Sequence, residues 1–186
     1  MRVKDKVWFT YKSRIQAHKR LEWLDFHSQM LLVWYAILST TLGVLTIRYS
    51  HIIGPDTDVM AAVLSVALLG VSLAVTNRDF RGRAMAMRNN YLQLQNLYNV
   101  LVAEEAAKIP PTPTQISKYG DLLAECENHR EIDDRVARVF ASNLNSRLPT
   151  KYEKTYAICW LGIRLIVTTA LYALPLIVGL YAWVSK

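Results

Sequence analysis

The residue types that most often carry enzyme or metal chemistry are few and scattered in this chain. Neither a phosphate-binding GxxxxGK[ST] loop nor a zinc-binding HExxH sequence occurs. The four histidines lack the short, repeated spacing of a metal site: His18, His27, His51 and His129. Cys126 lies in a polar stretch and Cys159 in an apolar one, so we expect no disulfide and a reducing cytosol around the polar part. The sequence therefore predicts no metal and no cofactor.

One short string imitates a catalytic motif. Gly70, Ser72 and Ala74 follow the spacing of the nucleophile elbow of serine hydrolases. That motif requires a strand-to-helix turn, whereas Ser72 stands within an apolar run, and the other apolar runs contain no histidine to act as a base. We reject the elbow and expect that the chain is not an enzyme.

Long apolar runs dominate the composition, which is 52% hydrophobic and 20% charged. Met30–Ile47 and Val59–Thr76 are uncharged and joined by a short polar loop that includes Gly54 and Pro55. A helix of about 18 to 20 such residues approaches the roughly 30 Å thickness of the hydrocarbon layer. These two runs predict a transmembrane hairpin, with buried core helices of a soluble protein as the alternative.

A third run, Tyr156–Val184, is longer and has aromatic residues at both ends, Trp183 among them, as membrane interfaces favour. It also contains Arg164 and Pro175. Because a charge inside lipid is costly, this run can span, tilt or pack against protein. We predict a third transmembrane helix here, which would place Lys186 outside.

The pattern as a whole predicts an all-α membrane protein with four segments. These are a basic amphipathic N-terminal helix (1–29), the hairpin (30–76), a cytosolic helical region (77–150) and a hydrophobic C-terminal helix (151–186). Basic residues crowd both outer flanks of the hairpin, and its loop offers Arg48 alone. By the positive-inside rule the N-terminus is cytosolic and the loop lies outside.

The cytosolic region shows helical spacing that continues from the second span to Pro110. Five residues alternate in steps of four and three and predict a helical association seam: Met87, Tyr91, Leu94, Tyr98 and Leu101. The alternative is an ordinary amphipathic helix packed on the next one. Thr114 is placed to cap the next helical stretch, and residues 114–147 form one bent helix or two.

Small and hydroxyl-bearing residues inside the hairpin suit close helix packing or the lining of a pore. The candidates for either role are Ser39, Thr40, Gly43, Ser65, Gly70, Ser72 and Ala74. A third interpretation is that each hydroxyl binds a carbonyl of its own helix.

Basic residues near the spans are candidates for contact with lipid headgroups or nucleic acid: Arg14, Lys19, Arg20, Arg78, Arg81 and Arg83. A net charge of +7 suits either partner. No nucleic-acid motif accompanies them, and the cluster lies near the first span, so lipid is favoured.

Several of these features resemble the SLATT family of small bacterial two-span membrane effectors, nearly end to end. They are Arg14 and Lys19-Arg20-Leu21 before the first span, Arg81 and Arg83 after the second, and the ENH string of Glu127 to His129. The chain is most similar to the branch encoded beside defence-associated reverse transcriptases. The third run departs from the two-span pattern and leaves the pore-lining helix open.

The resemblance implies an antiphage effector of the bacterial inner membrane. Its partner, a reverse transcriptase with a non-coding RNA, would keep it quiet. Released, it would oligomerise and permeabilise the membrane, so that the infected cell dies before phage multiply. The alternative is a non-conducting scaffold or regulatory subunit that assembles the reverse transcriptase complex.

Overall fold

The computed structural model describes residues 2–49, 54, 57–141, 144 and 146–184, except for the side chains of 182 and 183. The part of the chain so described forms helices and no strand, which confirms the all-α prediction. The helices are α1 (Val3–Arg48), α2 (Thr57–Thr76), α3 (Phe80–Ala106), α4 (Pro113–Ala124), α5 (Glu131–Phe140) and α6 (Lys151–Val184). Pro55 in the predicted outer loop, His51, Lys186 and the side chain of Trp183 lie outside the described residues.

The chain divides into two compact units. The polar unit comprises Met1–Trp23 and Phe80–Leu161, and the membrane unit comprises Leu24–Asp79 and Gly162–Lys186. Helix α1 contributes to both, because no glycine or proline interrupts it before Gly43. Residues 3–29 and the first apolar run thus belong to one helix.

The second span does not continue unbroken into the cytosolic helix, as the sequence had led us to expect. Helix α2 ends at Thr76 and α3 begins at Phe80, and between them Asp79 has a φ of 42°. Asn77 and Asp79 have short polar side chains that favour turns over helix interiors and tolerate the left-handed region. The expected continuation was therefore wrong, and a turn separates the hairpin from α3.

Helix α4 begins with a capping box. The hydroxyl of Thr112 accepts from the Gln115 N–H at 3.4 Å, and the Gln115 side-chain oxygen accepts from the Thr112 N–H at 2.8 Å. Pro113 occupies the first helical position, where no N–H donor is needed. The prediction that Thr114 caps this helix was wrong because the proline puts the cap one residue before itself.

The core of the polar unit buries the predicted seam inside the chain. Leu94 and Leu101 pack with Val7 and Tyr11 of α1 and Leu122 of α4. Met87 packs separately against other buried residues: Ala17, Leu21 and Ala84. Tyr91 and Tyr98 are half-buried against the first cluster. The five seam residues thus pack on α1 and on α4, which fits the alternative of an amphipathic helix packed on the next one. A role of this seam between copies stays a prediction.

The apolar windows of the membrane-spanning candidates are exposed within the chain. Among the described residues, three helical stretches are long and apolar enough to cross a membrane: the first is α1, the second includes α2, and the third lies within α6. In the first two, 0% of the 18-residue window is buried, and in the third 6%. Core helices of a soluble protein would bury these windows, so that alternative does not fit. Exposed apolar surface of this extent requires a cover of lipid or protein.

We expect Thr112→Ala to destabilise α4 by about 1 kcal/mol, because the substitution removes the side-chain acceptor of the cap. Thr114→Ala, two residues along the same exposed turn, should change stability by less than about 0.5 kcal/mol. Amide hydrogen exchange of the first turn of α4 measures both variants. Equal protection in the two would contradict the assignment of the cap.

Candidate functional site

The α4–α5 loop, residues 125–130, is the candidate site. It contains the ENH string of Glu127 to His129, and three arginines from α1 and α3 hold it in place. The three are Arg14, Arg20 and Arg83.

Arg14 binds the C-terminal end of α4. Its side chain is 1% exposed and donates to the carbonyls of Leu122 at 2.9 Å and Leu123 at 3.2 Å. The last four carbonyls of a helix lack donors from their own helix, and a cation there also interacts favourably with the helix dipole. Burial lowers the pKa of Arg14, an effect that Cys126 and other nearby groups oppose. Arg14 is thus a buried C-terminal cap supplied by another helix.

Helix α3 supplies a second set of partners beside Arg14. Asn90, which is fully buried, accepts from Arg14 and donates to the Leu122 carbonyl at 2.7 Å and to the Glu125 carboxylate at 2.9 Å. Gln93 also donates to Glu125, at 3.0 Å. The start of the loop is therefore bound to α3 as well as to α1.

Arg20 holds the other end of the loop. Its guanidinium makes two bonds, of 2.9 and 3.0 Å, to the two carboxylate oxygens of Asp133, and both side chains are buried. Asp133 also accepts the Arg130 N–H at 2.9 Å in the first turn of α5, where a negative charge is favoured. One buried carboxylate thus caps α5 and neutralises Arg20.

Arg83 closes the middle of the loop from α3. It makes two bonds, of 3.0 and 2.9 Å, to the carboxylate of Glu127. These side chains are 32% and 39% exposed, so the pair contributes less than about 1 kcal/mol. This ion pair therefore mainly positions the loop against α3 and adds little to stability.

The loop also contains two half-buried titratable side chains. Burial lowers the pKa of His129, and its Nδ1 is buried without a hydrogen-bond partner among the described residues. Burial likewise raises the pKa of the Cys126 thiol, whose sulfur lies 3.9 Å from that of Met87. At neutral pH both groups are therefore expected to be uncharged.

A capping box begins α6 and ties it to α5. Thr150 and Glu153 bind each other's backbone N–H at 3.2 and 2.9 Å. Arg138 donates to Glu153 at 3.1 and 2.5 Å and to Asp134 at 3.0 Å. These bonds lower the pKa of Glu153 to about 2. This brace was not predicted from the sequence, although the T-x-x-E spacing of residues 150–153 signals such a cap.

In the membrane unit the predicted packing or pore residues differ in exposure. The hydroxyls of Ser39 on α1 and Ser65 on α2 are 3.2 Å apart. On α2, Ser72 is half-buried, whereas Gly70 and Ala74 are exposed. Half-buried positions also include Gly43 on α1, whereas Thr40 there is exposed. The seven candidates therefore do not line one surface of the single chain.

Most of the described hydroxyls in the hairpin bind their own helix. Thr40 and Thr41 each donate to the carbonyl four residues earlier at 2.8 Å, and Ser65 does so at 2.9 Å. Such back-bonding satisfies a hydroxyl in an apolar environment without a partner helix. It agrees with the third interpretation of these residues and leaves the outer faces apolar.

The structure also divides the six basic candidates. Arg14 and Arg20 are buried on protein partners, and Arg83 pairs with Glu127. The exposed members are Lys19, Arg78 and Arg81. In this conformation the first group positions helices, and the exposed group is the part accessible to a headgroup or phosphate.

The arrangement around the loop holds helix ends in place. Among the described residues, no cluster of three or more His, Cys, Asp or Glu is placed to hold a metal ion. Several features that carried the resemblance nevertheless meet here: Arg14, Arg20, Arg83, Glu127 and His129.

The chain also matches a family model. Residues 1–184 match SMODS and SLOG-associating 2TM effector domain family 5, SLATT_5. The chain belongs to this SLATT family. No curated protein and no solved structure matches it. Its family is one of effector domains with two transmembrane spans. In the described part of this SLATT chain, three helices are long and apolar enough to cross a membrane.

We expect Arg20→Met to destabilise the SLATT chain by about 3 to 5 kcal/mol, because Asp133 would remain buried without its cation. Lys19→Met changes the exposed neighbour and should cost less than about 0.5 kcal/mol. Arg20→Met combined with Asp133→Asn should recover stability, since the amide oxygen still accepts the Arg130 N–H. Denaturant unfolding of the detergent-purified chain measures all three, and equal losses for Arg20→Met and Lys19→Met would contradict the buried pair.

We expect the stability of the polar unit to fall as the pH drops from about 7.5 to about 5.5. The unfolded chain takes up a proton near the ordinary histidine pKa of 6.5, whereas the folded chain, with the lowered pKa of His129, does not. His129→Gln should flatten this dependence in thermal unfolding scans. The Glu153 carboxylate acts in a separate window, because its stabilisation is lost only as the pH falls from 4.5 towards about 2. An unchanged slope in His129→Gln would contradict this assignment.

Proposed function

We propose that the SLATT chain is an antiphage defence effector that oligomerises and permeabilises the bacterial inner membrane when its partner triggers it. The partner that the resemblance favours is a reverse transcriptase with its RNA or DNA product. The chain itself carries out no catalysis in this proposal. The infected cell dies before phage multiply.

The observation that carries the proposal is the exposure of the apolar windows. The 18-residue windows of the first two candidate spans are 0% buried within the chain. A single copy therefore leaves its hairpin to be covered by lipid or by other copies. Basic flanks before α1's apolar run and after α2 favour a cytosolic N-terminus, with Lys19, Arg78 and Arg81 at anionic headgroups.

One outer face of α2 suits contact between copies. A Cβ added at Gly70 would meet no heavy atom of a neighbouring described residue within 4 Å, and Ala74 is exposed one turn further on. Small residues spaced by four let transmembrane helices approach closely. This face is open in the single chain, so it supports assembly of several copies through α2.

We expect Gly70→Leu to abolish permeabilisation while leaving membrane insertion unchanged, because the larger side chain keeps α2 helices of neighbouring copies apart. Val71→Leu is the control, since it changes an exposed position about 100° around the same helix. The assay measures dye entry and membrane potential in cells that carry the complete defence system, with and without the phage trigger. Triggered wild-type cells that stay polarised and impermeable would refute the proposed function.

A membrane scaffold that conducts nothing is the second candidate. The observation that favours it is the back-bonding of Thr40, Thr41 and Ser65, which leaves the hairpin of a single chain without a hydrophilic face. A scaffold would bind the reverse transcriptase complex through the polar unit, and its hairpin would act as an anchor. Ser72→Leu separates the two: it should reduce dye entry through a pore that Ser72 lines, whereas an anchor should keep its full activity.

A further inference from the structure

Helix α6 carries a proline within its apolar stretch, and this proline leaves one carbonyl without a donor in its own helix. Pro175 has no N–H, so the carbonyl of Leu171, four residues earlier, receives no bond from that position. In lipid an unsatisfied backbone group costs several kcal/mol, and neighbouring helices usually supply the missing partner.

Helix α1 supplies that partner inside the membrane unit. The hydroxyl of Tyr35 donates to the Leu171 carbonyl at 2.9 Å. The indole N–H of Trp34 donates to the next carbonyl, that of Tyr172, at 3.2 Å. The aromatic pair thus meets α6 at two consecutive carbonyls in the turn before Pro175.

A third contact extends the same face by two turns. His27, seven residues before Trp34, has its Nδ1 3.3 Å from the Tyr172 hydroxyl. A spacing of seven residues places His27 and Trp34 on one side of α1. The polar groups of one α1 face are therefore satisfied by α6, whereas Ser39 of α1 meets Ser65 of α2.

We propose that α6 restrains the hairpin in the resting chain by docking the Leu171 and Tyr172 carbonyls, in the turn before Pro175, on Trp34 and Tyr35, and that its release precedes assembly. This inference rests on the proposed function and identifies the contact that keeps the effector in its resting state. Release exposes two donors on α1 and an acceptor on α6, all of which need new partners in lipid. A second copy offers the same groups and can satisfy them between chains.

The energetics make the restraint depend jointly on Tyr35 and Pro175. Pro175 has no N–H, so the Leu171 carbonyl has no helical donor at that position. Docking of α6 therefore gains the hydrogen bond that the Tyr35 hydroxyl donates to this carbonyl. Tyr35→Phe removes the new donor, and Pro175→Ala returns the old one. Each change should raise the released fraction about three- to tenfold, and the double variant should raise it no further.

The test uses the full chain in lipid nanodiscs, labelled with 5-fluorotryptophan and followed by fluorine NMR. The chain has five tryptophans, and Trp34→Phe assigns the relevant resonance. Tyr35→Phe, Pro175→Ala and the double variant should move the Trp34 resonance to one common position. Tyr181→Phe, at an exposed tyrosine of α6, should leave it in place. Additive shifts, or no shift in Tyr35→Phe and Pro175→Ala, would overturn the proposal.

Dye entry without phage provides the functional arm. Tyr35→Phe and Pro175→Ala should each raise it several-fold, and Tyr181→Phe should not. If triggered wild-type cells admit dye but the released variants do not, the restraint is refuted and the proposed function stands. If triggered wild-type cells exclude dye, the proposed function fails, and the Trp34 resonance still decides whether α6 docks as described. If Tyr35→Phe fails to insert into the membrane, Pro175→Ala serves for both the NMR and the dye-entry measurements, because it restores a backbone hydrogen bond within α6.

Discussion

The polar unit depends on two charges that α1 buries. Arg14 and Arg20 lie in a helix that is also packed through Val7, Ala17 and Leu21, so their guanidinium groups require partners inside the protein. The two ends of the α4–α5 loop supply these partners: carbonyls at the end of α4 and a carboxylate at the start of α5. These contacts with α1 therefore stabilise the end of α4 and the start of α5.

Polar groups in the membrane unit also need partners inside the protein, although these groups are uncharged hydroxyls and carbonyls. Hydroxyls of the hairpin bind carbonyls of their own helices, and the carbonyl that Pro175 leaves without a helical donor is met by Tyr35. Satisfied polar groups let the helices present apolar side chains outwards.

Run length and helical spacing predicted most of the helices, because those properties are local. The spans, the two cytosolic helix regions and the break at the double proline all follow from residue order. The failures involve competition between neighbouring residues. Thr112 caps α4 in place of Thr114 because Pro113 favours the first helical position, and Asn77 and Asp79 stabilise a turn where the apolar pattern suggested continuity.

The sequence alone was enough to recognise the apolar spans, the basic flanks and the family motifs. The partner of each charge was not. Arg14, Arg20 and Lys19 look alike along the chain, yet two are buried at helix ends and one is exposed, because burial depends on which face of α1 meets α3, α4 and α5. Likewise, the seam that includes Met87 and Leu94 has the spacing of an association surface. Its contacts lie within the chain because the seam packs on α1. Long-range packing decides which residues are buried and against which helix, because sequence periodicity shows that a helix has an apolar face but not which helix packs on that face.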